Sequence, residues 1–497
     1  VWTVQDTFTK FVYPFWIDFD EDFTFEQAAE KIARFFIPFP DEEHKIPLWV
    51  ECQFQTSELD NMLPYVKRYM RLPQNQRRFR IHEDILPLFD DMQTTSMEAS
   101  SPGFQMSSIE LYLFFNGVGF LTIEIAPNWS RADEISVEWI ENINADLASL
   151  ARCKPMRQRH PKYDLSSVCS SGALLPLMCG QPGTMREWIH HLLSPLAERL
   201  GTGCWQPMCD TFLPIYGALL LRRTESLSSE EPNKWDASFR EFALSHLIVL
   251  RKTLPSNNGS RFARQTFEDS QYNYMPYHNV IHTQSLEGGF VLAYDTNVQH
   301  FRGRNSAAMQ SFRTNYFYMM LLALHQRMSI LRYAMKAAEA STVPDHAKQL
   351  RQLREQIYDF TARCYFSQAS FSEERDQLYR RWQRAFHIVQ MYNELKEEVH
   401  DIDGYLEQVA KERELETKER ELRQEAKKTQ LVTYISFILL PLSVLSNLIQ
   451  ASPIIMHWLN FSLHPLRSSL LLLIAAFGAI LLLRILWKLL STPKDHN

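Results

Sequence analysis

From Leu431 to Gln450 the chain carries no charged residue. At about 1.5 Å per helical residue, a run of this length covers roughly the 30 Å of a bilayer's hydrocarbon, which predicts a transmembrane helix. A second apolar run, Ser468 to Leu490, is interrupted only by Arg484 and Lys488 near one end, where long cationic side chains reach the headgroups. Only Ala451 to Arg467 separates the two, so they read as a hairpin. Arg423, Lys427 and Lys428 precede the first span, and Arg484, Lys488 and Lys494 end or follow the second, while the link carries Arg467 as its one charge. The positive-inside rule then puts both termini in the cytoplasm.

The first span has an ordered polar pattern. Thr433, Ser436, Leu440, Ser443, Asn447 and Gln450 follow steps of three and four, which places them on one helical face. One reading is a pore lining, because polar groups at membrane depth face a cavity or a bundle interior. The other is helix glue, with Ser and Thr bonding to their own carbonyls and Asn447 bonding across a dimer.

Ahead of the spans the pattern is mixed. In residues 1–152, Thr24 with Gln27 forms a capping box opening a helix through Phe36, and Ile109 to Ile125 alternates around Asn116-Gly117 as a β-hairpin. Ser130 with Asp133 is expected to cap a helix whose stripe is Ile135, Trp139, Ile140, Ile143, Leu147 and Leu150. Further on, strands are expected near Phe212–Leu221 and Phe290–Tyr294, helices near Met185–Leu200 and Phe239–Leu250, and loops at Ser226–Asn233 and Ser256–Ser260. After Arg304 the spacing turns helical: Asn305 to about Ala340, then a helix after Pro344, then one from about Ser372. No proline follows Pro344 until Pro441, so the third helix is expected to run unbroken from Glu374 to Gln450, on the order of 115 Å, with Gly404 its weak point. Between Lys411 and Lys428 it is almost wholly charged, a solvated stalk in the plain reading. If several copies gathered, the acidic excess from Glu394 to Glu425 would concentrate cations.

The fold class expected is an α+β cytoplasmic domain followed by a long-helix stalk and a two-helix transmembrane hairpin. The divisions are 1–304 for a sensing α/β domain, 305–430 for the helical stalk, 431–490 for the spans (431–450 and 468–490), and 491–497 for a cytoplasmic tail. A net charge of -6 argues against a general nucleic-acid binder. The seven cysteines are odd in number and scattered, which suits a reducing compartment. The first residues do not form a basic, apolar, small-residue signal.

For a ligand carrying phosphate, Lys67, Arg68, Arg71, Arg77, Arg78 and Arg80 cluster around Tyr65, Tyr69 and Phe79 and combine charge with stacking surfaces. A solvated surface run is the plainer reading. Arg302 and Arg304 are a second candidate. His278 and His282 are spaced as two helical metal ligands, and Cys204, Cys209, His190 and His191 can be gathered into a zinc site on paper, but neither spacing is a metal motif. No glycine-rich phosphate loop, nucleophile elbow or paired catalytic carboxylate occurs, so no catalytic residue is assigned.

The terminal arrangement resembles the CorA family of divalent-cation transporters. At residue level the resemblance rests on Tyr316 to Leu331, including Ala323-Leu324-His325-Gln326-Arg327, and on Pro441-Leu442-Ser443. It implies a homopentamer with a central pore lined by the first span. The family's glycine-methionine-asparagine signature falls on Gln450, Ala451 and Ser452 here and is absent. Mg²⁺, which is bound through oxygen groups and water, is therefore less well matched than in the transporters. CorA-like proteins without the signature include membrane effectors encoded beside type III CRISPR systems and acted on by a nucleotide messenger such as S-adenosylmethionine joined to AMP. The expected function is a ligand-gated pore of that kind, not an enzyme. The alternatives are a divalent metal cation transporter and a non-conducting membrane scaffold.

Overall fold

The structure is a computed structural model that describes residues 2–19, 23–38, 45–89, 103–130, 134–150, 153–154, 183–200, 205–209, 211–223, 232–252, 272–296, 298–340 and 346–458, with isolated positions beyond. In chain order the strands are β1 (Trp2–Ile17), β2 (Phe36–Pro38), β3 (Lys45–Pro47), β4 (Trp49–Glu51), β5 (Gln76–Ile81), β6 (Phe104–Phe114), β7 (Val118–Pro127), β8 (Cys153–Lys154), β9 (Gly183–Thr184), β10 (Trp205–Pro207), β11 (Ile215–Arg223), β12 (Asn273–Tyr277), β13 (Val280–Ser285) and β14 (Gly288–Tyr294). The helices are α1 (Phe25–Ala33), α2 (Pro64–Arg71), α3 (Val137–Ala148), α4 (Met185–Leu200), α5 (Pro232–Lys252), α6 (Ala307–Ser311), α7 (Phe317–Ala340), α8 (His346–Cys364), α9 (Glu373–Ala385) and α10 (Ile388–Trp458).

One mixed sheet organises the first of two compact units, 1–402. Its order is β12-β13-β14-β11-β1-β7-β6-β5-β4, with β10 beside the end of β1. Only β11 and β14 run parallel within it. Alternation along β1 divides the two faces. Phe11, Tyr13, Phe15 and Ile17 enter an apolar core shared with α1, α3, α4 and α5. Asp6, Phe8 and Lys10 face the other way, toward the helical block around α6 and α7, where Lys10 lies over the Phe317 ring and Arg313 over Phe8. The α+β character of the chain and its long C-terminal helix are therefore present.

Local signals place several elements. Thr24 and Gln27 make both halves of the capping box on α1, which ends at Ala33 so that Phe36 begins a strand instead. The hairpin is β6 and β7, turned at Gly117 with φ of +85°, where a Cβ would meet the Ile17 carbonyl oxygen at 2.1 Å. The cap of α3 is Ser136, whose hydroxyl accepts from the Trp139 N–H, not Ser130, which bonds to Asn128. A new start three residues before Trp139 fits the capping geometry better than Ser130 does. The strands expected near 212–221 and 290–294 are β11 and β14, and the helices expected near 185–200 and 239–250 are α4 and α5. The loops at 256–260 and, up to 231, at 226–233 lie outside the described residues; α5 takes over from Pro232.

The third C-terminal helix is not continuous from Glu374. It stops at Phe386, His387 takes φ of +54°, and α10 starts at Ile388. The break is satisfied from a distance: Arg327 reaches from α7, and its Nη1 donates to the Phe386 carbonyl at 2.6 Å, a carbonyl freed by the end of α9. Gly404, by contrast, is passed without interruption, and α10 extends beyond Gln450 to Trp458. His278 and His282 do not share a helix. They lie at a turn and on β13, and His282 is buried with its ring stacked on Tyr316 at 5.3 Å.

The second unit begins at Asp403. From Lys411 to Lys428 its side chains are exposed and laced by i,i+4 pairs such as Lys418–Glu414 at 2.7 Å. Among the described residues no helix is long and apolar enough to cross a membrane. The uncharged run is interrupted at 445, 448 and 449, whose side chains are not described, and the segment 468–490 lies, apart from isolated positions, outside the described residues, as does the tail 491–497. The transmembrane hairpin expected from the sequence is thus not shown.

Burial holds the imidazoles of His282 and His325 down at about 3, with Arg381 adding to the effect at His282. Both are neutral in the native protein at pH 5, whereas the unfolded chain protonates them below about 6.5. Native stability therefore rises with pH between about 3 and 6.5 and is flat above. Moving from pH 7 to pH 5 should cost about 2 kcal/mol per histidine, about 4 kcal/mol for both. Urea unfolding at the two pH values should show this loss, and His282→Gln should remove about half of it. An equal midpoint at both pH values would contradict neutral burial.

Candidate functional site

The feature that combines space, charge and unsatisfied polar atoms is a cavity of about 620 Å³ at the β5 end of the sheet. The chain leaving β4 forms one wall with Cys52, Gln55 and Glu58, β5 supplies Arg78 and Arg80, and the helical block supplies Gln310, Thr314, Asn315 and Arg375. Two local distortions shape it. Asn61 adopts φ of +62°, and its carbonyl accepts from Ser370 Oγ at 2.7 Å and from the Phe371 N–H at 3.0 Å, which ties the 56–62 loop to the segment before α9. Between α6 and α7 the helix widens into one π-helical turn, Phe312–Tyr316. Such a turn shifts side chains out of α-helical register, and it carries Thr314 and Asn315 to the cavity and Arg313 to the adjacent charge row.

That row crosses the sheet face. Arg78 is 4% exposed and donates to Glu58 Oε1 at 3.0 Å and to Glu110 Oε1 at 2.8 Å. Arg80, half exposed, shares Glu110 Oε1 at 3.0 Å, and the Tyr112 hydroxyl donates to Glu110 Oε2. Tyr318 from α7 donates to Glu58 at 2.9 Å. Two strands away, Lys10 pairs with Glu124 at 2.9 Å, and Arg313 bonds Glu124 at 3.1 Å and approaches Asp6 at 3.9 Å. Burial pushes the Glu110 carboxyl up, but the charges of Arg78, Lys10 and Arg80 and the Tyr112 hydrogen bond outweigh it and hold Glu110 at about 2. Asp6 moves the other way, raised by burial against Arg313. Not every polar atom is used: the donor Arg78 Nε and the acceptor Asn315 Oδ1 are buried and, among the described residues, have no hydrogen-bond partner.

The expected basic cluster is divided. Arg78 and Arg80 line the cavity. Lys67, Arg68 and Arg71 sit on α2, with Arg68 and Arg71 exposed, and Arg77 is held by Glu51 at 2.6 Å. Tyr69 and Phe79, expected as stacking surfaces, are buried in packing. Arg304 stacks on Trp129 at 4.0 Å. Of the expected pore face, Thr433 Oγ1 donates to the Thr429 carbonyl at 2.7 Å and Ser443 Oγ to the Leu440 carbonyl at 2.8 Å, while Leu440 is 66% exposed and Ser436, Asn447 and Gln450 are exposed as well. Cys204 lies outside the described residues, and among those described no group of three or more His, Cys, Asp or Glu is arranged to hold a metal ion. Glu58, Glu110, Asn315 and Arg375 were not singled out by sequence. A glutamate inside the aromatic strand Ile109–Phe115 was the available signal for one of them.

No family model matches this chain, and neither a curated protein nor a solved structure matches it.

Removing one member of a buried ion network leaves the others unpaired, at a cost of about 3–5 kcal/mol. Glu110→Leu should lower unfolding stability by that order, because it leaves the buried Arg78 with Glu58 as its one carboxylate partner and takes the acceptor from the buried Tyr112 hydroxyl. The double variant Glu110→Leu, Arg78→Met should recover part of the loss in the same denaturant titration. A Glu110→Leu protein as stable as the parent would contradict the network.

Proposed function

We propose that the protein is a CorA-like homopentameric membrane pore in a bacterial inner membrane, opened by a ligand that acts on its cytoplasmic unit. In this reading it is a membrane effector of the type III CRISPR-associated kind, responsive to a nucleotide messenger. Thr433, Ser436, Leu440, Ser443, Asn447 and Gln450 line the conduction path, and Leu440 is the hydrophobic constriction because it alone on that face is apolar.

The observation that carries the reading is α10 itself. One helix joins a solvated, charged segment at Lys411–Lys428 to an uncharged segment from Leu431, where Leu439, Leu440 and Leu442 are all more than half exposed. Large apolar side chains exposed around a helix call for lipid or for partner copies. The polar cavity in the first unit supplies a place for a ligand. A non-conducting helix assembly is the second reading, favoured by the Thr433 and Ser443 hydroxyls bonding to their own backbone. A divalent metal cation transporter is less well supported, since Gln450, Ala451 and Ser452 stand where the transporter signature would be.

Proteoliposomes separate these readings. Leu440→Ser should raise ion leak at least tenfold over the parent protein without added ligand, as a hydrophobic constriction becomes wettable. Leak unchanged by this substitution, in protein shown to be inserted, would contradict the pore lining and favour the scaffold.

A further inference from the structure

We propose that the cavity bounded by Arg78, Arg80, Asn315 and Arg375 is a binding site for a phosphate-bearing small molecule, whose anionic group is held by Arg80 and Arg375 and whose neighbouring polar group meets Asn315. The proposal rests on the ligand-gated reading for its consequence but not for its chemistry.

The argument begins with what the cavity lacks. Its lining contains no aromatic ring, so nothing there stacks a planar group, and the apolar, aromatic lining usual for small-molecule pockets is missing. What it offers is donors. Arg375 Nη1 donates to the Asp60 backbone carbonyl at 3.1 Å and its guanidinium lies over the Tyr316 ring at 5.5 Å, but among the described residues no carboxylate pairs with it. Arg80 is half exposed and shares one carboxylate oxygen with Arg78. Ser57, Ser311 and Thr314 add hydroxyls. Two acidic residues also line the cavity: Glu58 is already engaged, accepting from Arg78, from the Tyr318 hydroxyl and from the Gln55 N–H at 2.7 Å, and Asp60 is exposed to water. Guanidinium groups and hydroxyls on several walls suit an anion with more than two acceptor oxygens, which a phosphate has and a carboxylate does not.

A second, independent observation points to a ligand. Asn315 is 6% exposed and lines the cavity, and among the described residues its Oδ1 has no partner; nor has the Nε of Arg78, which lines the same cavity. A buried amide oxygen and a buried guanidinium N–H without partners cost free energy unless water or a ligand completes them. Asn315 is held there by the π-helical turn, so the distortion that costs helical regularity is the one that points this amide at the cavity. An amide recognises either a hydroxyl or an amine, so the group next to the phosphate is polar, as on a sugar phosphate or nucleotide.

The test is equilibrium binding to the full chain in detergent, using inorganic phosphate, ribose 5-phosphate, AMP and, as the phosphate-free probe, ribose. Ribose 5-phosphate and AMP should bind, inorganic phosphate more weakly, and ribose not measurably. Tighter binding of AMP than of ribose 5-phosphate would identify a nucleotide source, and equal binding a sugar phosphate. Arg375→Gln should weaken the phosphate probes at least tenfold, and Asn315→Asp should abolish binding by placing a negative charge against the anion. Arg380→Gln, whose side chain pairs with Asp376 outside this cavity, should leave binding intact. Melting of each variant without probe shows whether it is folded. No binding of any phosphate probe to the parent protein, ribose binding as well as ribose 5-phosphate, or unaltered binding in both folded site variants would overturn the proposal. Binding without any ion flux would leave this site standing and remove the pore, and flux without binding would do the reverse.

Discussion

The burial of paired charges on one face of the sheet is the constraint on which the first unit depends. A sheet covered on both sides normally presents apolar residues on both. Here the face toward α1, α3, α4 and α5 does so, while the opposite face carries Arg78, Glu110, Lys10, Glu124 and Asp6 across four strands. Charges removed from water are tolerated only with close opposite partners and completed hydrogen bonds. Arg313 from the π-helical turn and Tyr318 from α7 supply the contacts from the covering helices. The helical block is thereby held in one register on the sheet, because sliding it would separate these pairs. The cavity lies where the row reaches the sheet's edge and the pairing becomes incomplete, at Arg80 and at the free Arg78 Nε.

A second set of polar contacts orders the helices behind that block. Gln326 donates to the Cys364 carbonyl at 2.8 Å, and Gln383 donates to Gln326 and to the Phe366 carbonyl. His325 is stacked on Phe114 at 3.9 Å, with its Nε2 at 3.2 Å from Asn116. Arg327, the next polar residue along, closes the end of α9. The Ala323 to Arg327 stretch on which the family resemblance rests is thus a packing element that fixes α7 against the hairpin, α8 and the α9–α10 break. None of its residues lines the cavity.

Elements with strong local signals were legible in the sequence. The capping box of α1 and the Asn116-Gly117 turn each follow from a few adjacent residues. What was not legible depends on distant partners. Nothing near His387 announces a break, and Arg327, which caps it at the Phe386 carbonyl, is 59 positions away. His278 and His282 look like a helical pair until β13 and β14 are seen to pair, and the α3 cap was misplaced because two serines compete for one helix start. The basic cluster showed the same limit: Arg78 and Arg80 alternate with Arg77 and Phe79 along β5, so strand geometry separates residues that the sequence lists together. Their destination was set by Glu110 on the neighbouring strand and by Glu58 in the loop.

In the proposed pore, neither the cavity nor the charge row conducts anything; conduction needs several chains that share one path. The exposed apolar stretch that starts at Leu431 makes association the most direct point of attack. Native mass measurement of the full chain, extracted in mild detergent, should give a particle of five chains. A monomer that persists across protein concentration would contradict the account.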